Sequence, residues 1–226
     1  MRSIKTKLSR ALLRSVDETN GEGPSSEIVE GEGDRDCGGG LWEALGTLQY
    51  RFMLERGLEP HHILLDVTCG SLRAGARFIA YLDTGHYLGI EVLGKLIDAG
   101  VDRELGQKVA AAKSPELVMS DRFEFERFSK QPDFVIAQSL FAHLTGRDIR
   151  LCLRNLRSVA KLGTRFFASF FETHKPQANA EHSDPRGKFL YSREQMWQFG
   201  AEFGWRSRYI GHWNHPRDQR MFEYFI

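Results

Sequence analysis

Two acidic residues stand where short apolar runs give way to turns that can hold a ligand. The run His62–Val67 leads into Asp66-Val67-Thr68-Cys69-Gly70-Ser71-Leu72-Arg73-Ala74-Gly75, and Tyr87-Leu88-Gly89-Ile90 ends at Glu91. Gly70 permits close backbone approach, and a helix beginning near Leu72 would offer amide N–H groups. Carboxylates at strand ends accept hydrogen bonds from an ammonium group or from ribose hydroxyls, so the pattern suits a nucleoside ligand. An acidic residue about 20 positions beyond a glycine-rich turn equally marks dinucleotide binding, and the turn alone leaves both open.

A second set of groups clusters later in the chain. His143, His174, His182, His212 and His215 follow the fourth, fifth and sixth expected strands. Histidine changes charge near neutral pH, so His143 or His215 is expected to act as base or to orient an acceptor. The segment Gly211-His212-Trp213-Asn214-His215-Pro216-Arg217-Asp218-Gln219 has more polar and aromatic character than a plain hairpin needs. His174, Trp213 and Arg217 are accordingly expected to touch the acceptor. The loop Glu172–Ser192 is long for a compact domain, which fits a lid or acceptor-specificity loop as well as a merely solvated one.

The elements that must position these groups alternate. Leu41, Leu45, Leu48 and Phe52 make a helical stripe that ends near Gly57. Strands are expected at His62–Val67, Tyr87–Glu91, Glu116–Ser120, Asp133–Gln138 and Arg165–Phe171, with a terminal pair at Trp205–Ile210 and Met221–Ile226. Helices are expected at Arg73–Leu82, Leu93–Gln107, from Thr145 to Gly163 with Thr145 and Asp148 capping its start, and at Arg193–Phe203. Phe123-Glu124-Phe125-Glu126 alternates like a strand edge, and Trp197, Trp205 and the Phe166–Phe171 run read as core. Such alternation predicts an open α/β sheet, mostly parallel and covered on both faces, with ligand at the carboxyl ends of its strands.

Composition narrows the partners. The 226 residues are 41% hydrophobic and 27% charged, which excludes collagen, mucin and wholesale disorder. Thirty-one basic against thirty acidic residues leave +1, so no global field draws the chain to nucleic acid or an anionic membrane. Cys37, Cys69 and Cys152 are odd in number and lack metal-ligand spacing, which predicts free thiols, a reducing cytoplasm and no metal.

Residues 1–40 have a different texture. Arg2, Lys5, Lys7, Arg10 and Arg14 meet no acid before Asp17, and Ile4, Leu8, Ala11, Leu12 and Val16 could share one helical face. Arg14 cuts the apolar stretch too short for a secretory signal, and the composition fits a transit peptide better. Asp17–Asp36 is acidic and rich in Gly and Ser, closes with Cys37-Gly38-Gly39-Gly40, and is expected to be a flexible linker. The domain is expected to span 41–226.

The run Leu65–Gly75, then Tyr87–Glu91, Ser120-Asp121-Arg122-Phe123 and Asp133–Leu144, in that order and at those intervals, resembles the class I S-adenosylmethionine-dependent methyltransferases. The resemblance implies a Rossmann-like, doubly wound, seven-stranded sheet with an antiparallel last strand. By it, Asp66, Thr68, Cys69, Gly70, Ser71 and Arg73 belong to the segment around the methionine moiety, and Glu91 takes the ribose hydroxyls. Asp121 and Phe123 match the adenine positions, and Gln138 and Ser139 the strand end beside the reactive methyl. The first glycine of the family's usual Gly-x-Gly turn is Thr68 here, and no third glycine follows at the common spacing. The implied activity is methyl transfer from S-adenosylmethionine, an in-line displacement that needs no metal; the acceptor is expected, apart from the resemblance, to be a small molecule or sugar-like hydroxyl. The competing readings are a nicotinamide-dependent oxidoreductase, whose G-x-G-x-x-G the chain does not supply, and a catalytically silent binding module.

Overall fold

The computed structural model describes residues 41–175 and 177–226. The amphipathic segment, the acidic linker and Cys37 lie outside the described residues.

The apolar runs become strands because they can be covered on both faces. β1 (Leu64–Val67), β2 (Tyr87–Glu91) and β4 (Phe134–Ala137) are buried along their whole lengths, with β3 (Glu116–Met119) at the sheet edge. β5 (Arg165–Glu172) and β8 (Arg220–Phe225) continue the sheet, followed by β7 (Arg206–His212). The strand order is β3-β2-β1-β4-β5-β8-β7. The first five strands are parallel, and β8 runs antiparallel to both β5 and β7. A two-residue strand, β6 (Leu190–Tyr191), pairs with the end of β5 and raises the count from the expected seven to eight. This pairing occurs because the long loop returns to the sheet before the next helix.

Alternation along each strand sorts the core into two layers. Leu65, Val67, Val135, Ala137, Phe166 and Tyr224 pack in one layer. Leu64, Phe134, Ile136, Phe167 and Met221 pack in the other. The helices cover these layers: α1 (Trp42–Glu55), α2 (Gly75–Tyr81), α3 (Gly94–Gly100), α4 (Gln107–Lys113), α5 (Gly146–Val159) and α6 (Arg193–Ala201). Thr145 caps α5 by accepting from the Asp148 N–H, as its spacing predicts. Ser192 and Gln195 form a reciprocal capping box on α6.

Four local expectations are corrected. Leu72 has φ +60°, so the chain is still turning there and α2 begins only at Gly75. The single helix expected over Leu93–Gln107 is split: α3 runs into a π-helical turn at Val101–Leu105, and Gly106 at φ +79° ends it before α4. Phe123–Glu126 is no strand edge. Phe123 sits at φ +55° and leads into a 3₁₀ turn, Phe125–Arg127, which sends both phenylalanines into the core by curvature instead of pleating. Trp197 is 57% exposed, because α6 buries Met196, Phe199 and Gly200 instead. Among the described residues, no helix is long and apolar enough to cross a membrane.

Candidate functional site

A cavity of about 310 Å³ opens at the carboxyl ends of β1, β2 and β4. Its floor is the turn after β1, where Thr68, Gly70 and Leu72 all have positive φ, at +65°, +54° and +60°. The alternating left-handed residues curl the backbone tightly enough for the Leu72 N–H to reach the Cys69 carbonyl at 3.0 Å. Thr68 thus adopts the glycine conformation without being glycine, a strain of about 1–3 kcal/mol that its hydroxyl offsets in part by donating to the Val67 carbonyl at 2.5 Å. A Cβ placed on Gly70 would meet no atom within 4 Å, so this face of the turn is open to a ligand.

Two carboxylates flank the turn. Asp66 is buried and accepts from the Tyr87 hydroxyl at 2.9 Å. Burial pushes its pKa up to about 6, against the pull of the Tyr87 hydrogen bond and the Arg73 charge. Glu91 is met by backbone instead: its Oε2 accepts from the Gly70 N–H at 2.9 Å, and its Oε1 from Val92 and Leu93 N–H at 2.7 and 3.3 Å. It ties the end of β2 to the turn after β1 by charge-assisted hydrogen bonds. Cys69 lies between them, and burial holds its thiol well above the usual range, neutral and unreactive.

At the end of β4, side chains knit the cavity wall. Gln138 Oε1 accepts from Arg73 Nη2 at 2.6 Å, while Gln138 Nε2 donates to Ser139 Oγ at 2.6 Å and lies 2.9 Å from His215 Nε2. Ser139, at φ +62°, donates its N–H to Ser169 Oγ at 2.7 Å. Both serine hydroxyls donate to Gln219 Oε1. His215 is buried and stacked on Trp213, with ring centroids 5.2 Å apart. Burial, with the charges of Arg217 and Arg73, lowers its pKa to about 4, so the ring is neutral at pH 7.

The remaining wall comes from the loop between β5 and β6, which contributes Ser183, Asp184 and Pro185. It is moored at several points. Asp184 N–H donates to the His143 carbonyl at 3.1 Å, Phe189 N–H to the Ala142 carbonyl at 2.9 Å, and Thr145 N–H to Ser183 Oγ at 2.8 Å. The Ser183 hydroxyl in turn donates to Asp148, beside the cap of α5. The loop therefore forms a fixed wall in this structure. His143 Nδ1 donates to the Gly187 carbonyl at 2.7 Å, which fixes the proton on Nδ1 and leaves the Nε2 lone pair available. Burial and Arg217 lower the His143 pKa, while the Gly187 hydrogen bond raises it.

Of the residues singled out in the sequence, the cavity brings together Asp66, Thr68, Cys69, Gly70, Ser71, Arg73, Glu91, Phe123, Gln138, Ser139, His143, His215 and Arg217. Three do not line it. Asp121 turns to Arg122 at 3.7 Å. His174 is exposed on the loop. Trp213 is buried behind His215, edge-on to Phe52 at 5.4 Å. The sequence reasoning missed the α1 contribution of Trp42, Leu45 and Gln49, and the loop residues Ser183, Asp184 and Pro185. Gln49 did carry a signal, a polar residue on the otherwise apolar stripe of α1, where it is buried. Arg122, Arg147, Arg150 and Arg154 also line a separate groove on the outside of α5, a local basic feature that the neutral total conceals. Among the described residues, no group of three His, Cys, Asp or Glu is arranged to hold a metal ion.

No family model matches the chain. Solved structures do. The chain is similar to magnesium protoporphyrin IX methyltransferase from Synechocystis PCC 6803 with bound S-adenosylmethionine, at 14% identity over 99% of each chain and a TM-score of 0.60. It is similar to the glycopeptide N-methyltransferase MtfA complexed with S-adenosylmethionine, at 14% identity over 80% of this chain and 94% of that one, with a TM-score of 0.62. An S-adenosylmethionine-dependent methyltransferase from Clostridium acetobutylicum matches at 8% identity over 79% and 88%, with a TM-score of 0.56. At these identities the likeness is one of fold.

Proposed function

We propose that this chain, whose fold is that of the class I S-adenosylmethionine-dependent methyltransferases, transfers a methyl group from S-adenosylmethionine to a hydroxyl of a small, polar, sugar-like acceptor. The observation that carries the reading is the single cavity in which the strand-end carboxylates, the open Gly70 turn and His143 converge. The residues present fit the cofactor. The buried Asp66 carboxylate, charged above about pH 6, suits an ammonium group, and Arg73 a carboxylate. Glu91 suits the ribose hydroxyls, Phe123 the adenine, and Gln138 with Ser139 the wall beside the reactive carbon.

When bound, S-adenosylmethionine supplies an electrophilic methyl group on a sulfonium, open to in-line displacement. The chain's own contribution is to position the acceptor and handle its proton. The Nε2 lone pair of His143 takes the hydroxyl proton as the oxygen–carbon bond forms, and the Gly187 carbonyl at Nδ1 stabilises the imidazolium that results. Asp184 and Arg217, which share the cavity with His143, orient the acceptor. A base of this kind favours a hydroxyl over a carboxylate acceptor, which has no proton to lose. The order β3-β2-β1-β4-β5-β8-β7, with its antiparallel β8, also departs from the 3-2-1-4-5-6 order of the dinucleotide-binding fold, which disfavours the oxidoreductase reading.

Calorimetric titration with S-adenosylmethionine and with NAD, alongside a Glu91→Ala variant, tests the reading. The expected result is micromolar binding of S-adenosylmethionine that weakens by about 2 kcal/mol, roughly 30-fold, in the variant. Preference for NAD, or no binding of either, would overturn it. Radiolabelled methyl transfer to a panel of sugar hydroxyls then separates an enzyme from a silent binding module.

A further inference from the structure

The buried face of α1 carries one polar side chain, Gln49, among Leu45, Gly46, Phe52 and Met53. Gln49 is only 7% exposed and lines the cavity, and among the described residues its carboxamide has no hydrogen-bond partner. Neither polar atom of the amide is sealed off from the surface, so what Gln49 leaves exposed opens into the cavity. The contacts of α1 fix where it opens. Two turns earlier, Trp42 carries the Arg73 guanidinium over its ring at 5.7 Å, and Gly46 lets the helix approach so closely that a Cβ there would stand 2.8 Å from the Arg73 carbonyl oxygen. One turn later, Phe52 meets Trp213 at 5.4 Å, and Trp213 stacks on His215. His215 returns to Arg73 through Gln138, at 2.9 and 2.6 Å. With a rise of about 1.5 Å per residue, Gln49 stands roughly 4.5 Å along the helix axis from both Gly46 and Phe52. It therefore sits within a closed ring of contacts, between the turn after β1 and the β7–β8 connection.

We infer that Gln49 is a specificity-determining residue, whose carboxamide binds a second hydroxyl of the acceptor, distinct from the one that is methylated. The inference rests on the methyltransferase reading. There the polar groups of the cofactor are matched without Gln49, the ammonium by Asp66, the carboxylate by Arg73 and the ribose by Glu91. Gln49 is left for the other occupant of the cavity, and its ring of contacts includes His215 of the β7–β8 connection, the side on which Arg217 orients the acceptor. An amide presents an N–H donor beside a carbonyl acceptor, and a hydroxyl both donates and accepts, so the two pair reciprocally. A carboxylate would use only the N–H, and an ammonium only the oxygen. Once the acceptor displaces water from the cavity, a compound lacking that hydroxyl leaves the buried amide unpaired, and this penalty becomes discrimination between acceptors. Leu45, one turn back on α1, has no polar group to take its place.

Gln49→Met in the full chain tests this, since it keeps the length of the side chain and removes the amide. Radiolabelled methyl transfer is measured for wild type and variant with the sugar panel and with the monodeoxy derivatives of its best acceptor. In the wild type, one derivative that retains the methylated hydroxyl is expected to lose about 10–100-fold in kcat/KM. In Gln49→Met the parent sugar should fall by the same factor, and that derivative should then equal it. The calorimetric Kd for S-adenosylhomocysteine should stay within about 3-fold of wild type. The urea midpoint should not fall, because no hydrogen bond within the described residues is lost. A variant that keeps the wild-type pattern across the deoxy series would overturn the inference. So would a lower urea midpoint, which marks a structural residue, or S-adenosylhomocysteine binding weakened by about 10-fold or more, which assigns Gln49 to the cofactor. Absence of transfer to every sugar, with S-adenosylhomocysteine bound, would overturn the acceptor class and the inference with it. Failure of the wild type to bind S-adenosylhomocysteine would overturn the methyltransferase reading itself.

Discussion

His143 and His215 line one cavity, and burial pushes both below the ordinary histidine range, yet they are equipped for different work. A backbone carbonyl meets His143 at Nδ1, so its other nitrogen keeps a lone pair for a substrate. A side-chain amide meets His215 at Nε2 and occupies the lone pair that a base would need. Residue type and location are alike in the two. What separates them is whether the neighbour accepts or donates.

The two carboxylates repeat the contrast. Glu91 accepts from three backbone N–H donors and Asp66 from one hydroxyl, and burial penalises the charge of Asp66.

The sharpest way to break the comparison is kinetic. His143→Ala is expected to lower kcat by about 10²–10⁴-fold with S-adenosylmethionine affinity unchanged, and His215→Ala to lower it by less than about 10-fold. Equal losses in steady-state assays would erase the distinction. The acid limb of the kcat profile should lie below pH 6.5, because His143 must be neutral and its pKa is lowered, and it should vanish in His143→Gln.

Next in size is the carboxylate pair. Asp66 has a folded pKa of about 6 against an unfolded value near 4, so its ionised form costs stability above pH 6 and the cost disappears below pH 4. Asp66→Asn should therefore raise stability by up to about 3 kcal/mol at pH 8 and by nothing at pH 4, read from urea unfolding at the two values. Glu91→Gln should act in the opposite direction, losing about 1–3 kcal/mol at pH 8, because an amide NH₂ would face backbone donors.

Ser183→Ala should cost about 1–2 kcal/mol by leaving the Thr145 N–H and Asp148 without their shared partner, and should raise acceptor KM more than cofactor Kd. Thr68→Gly is the smallest change, a gain of up to about 1 kcal/mol from relieved backbone strain in the same unfolding measurement.

The strands were legible because a strand buried on both faces must be largely apolar along its length, and Leu64–Val67, Tyr87–Glu91 and Phe134–Ala137 read that way without a structure. The positions of Asp66, Glu91 and Gln138 followed, since a residue at the carboxyl end of a parallel strand has few places to go. Loops were another matter. Asp121, His174 and Trp213 have the right chemistry at plausible positions but do not line the cavity, because where a loop side chain lies depends on the tertiary contacts around it. Trp197 and Gln49 were misread or missed for the same reason: which helical face is covered depends on what packs against it.

The amino-acid sequence by itself determined the alternation of elements, the turn after β1 and the carboxylates at the strand ends, because these depend on short-range periodicity and chain geometry. Only the tertiary structure decided which nitrogen of each histidine is engaged, which carboxylate is stabilised and where the β5–β6 loop is moored. Those outcomes are set by donors and acceptors tens of residues away, Gly187 for His143 and Arg73 through Gln138 for His215, brought within hydrogen-bonding distance by folding.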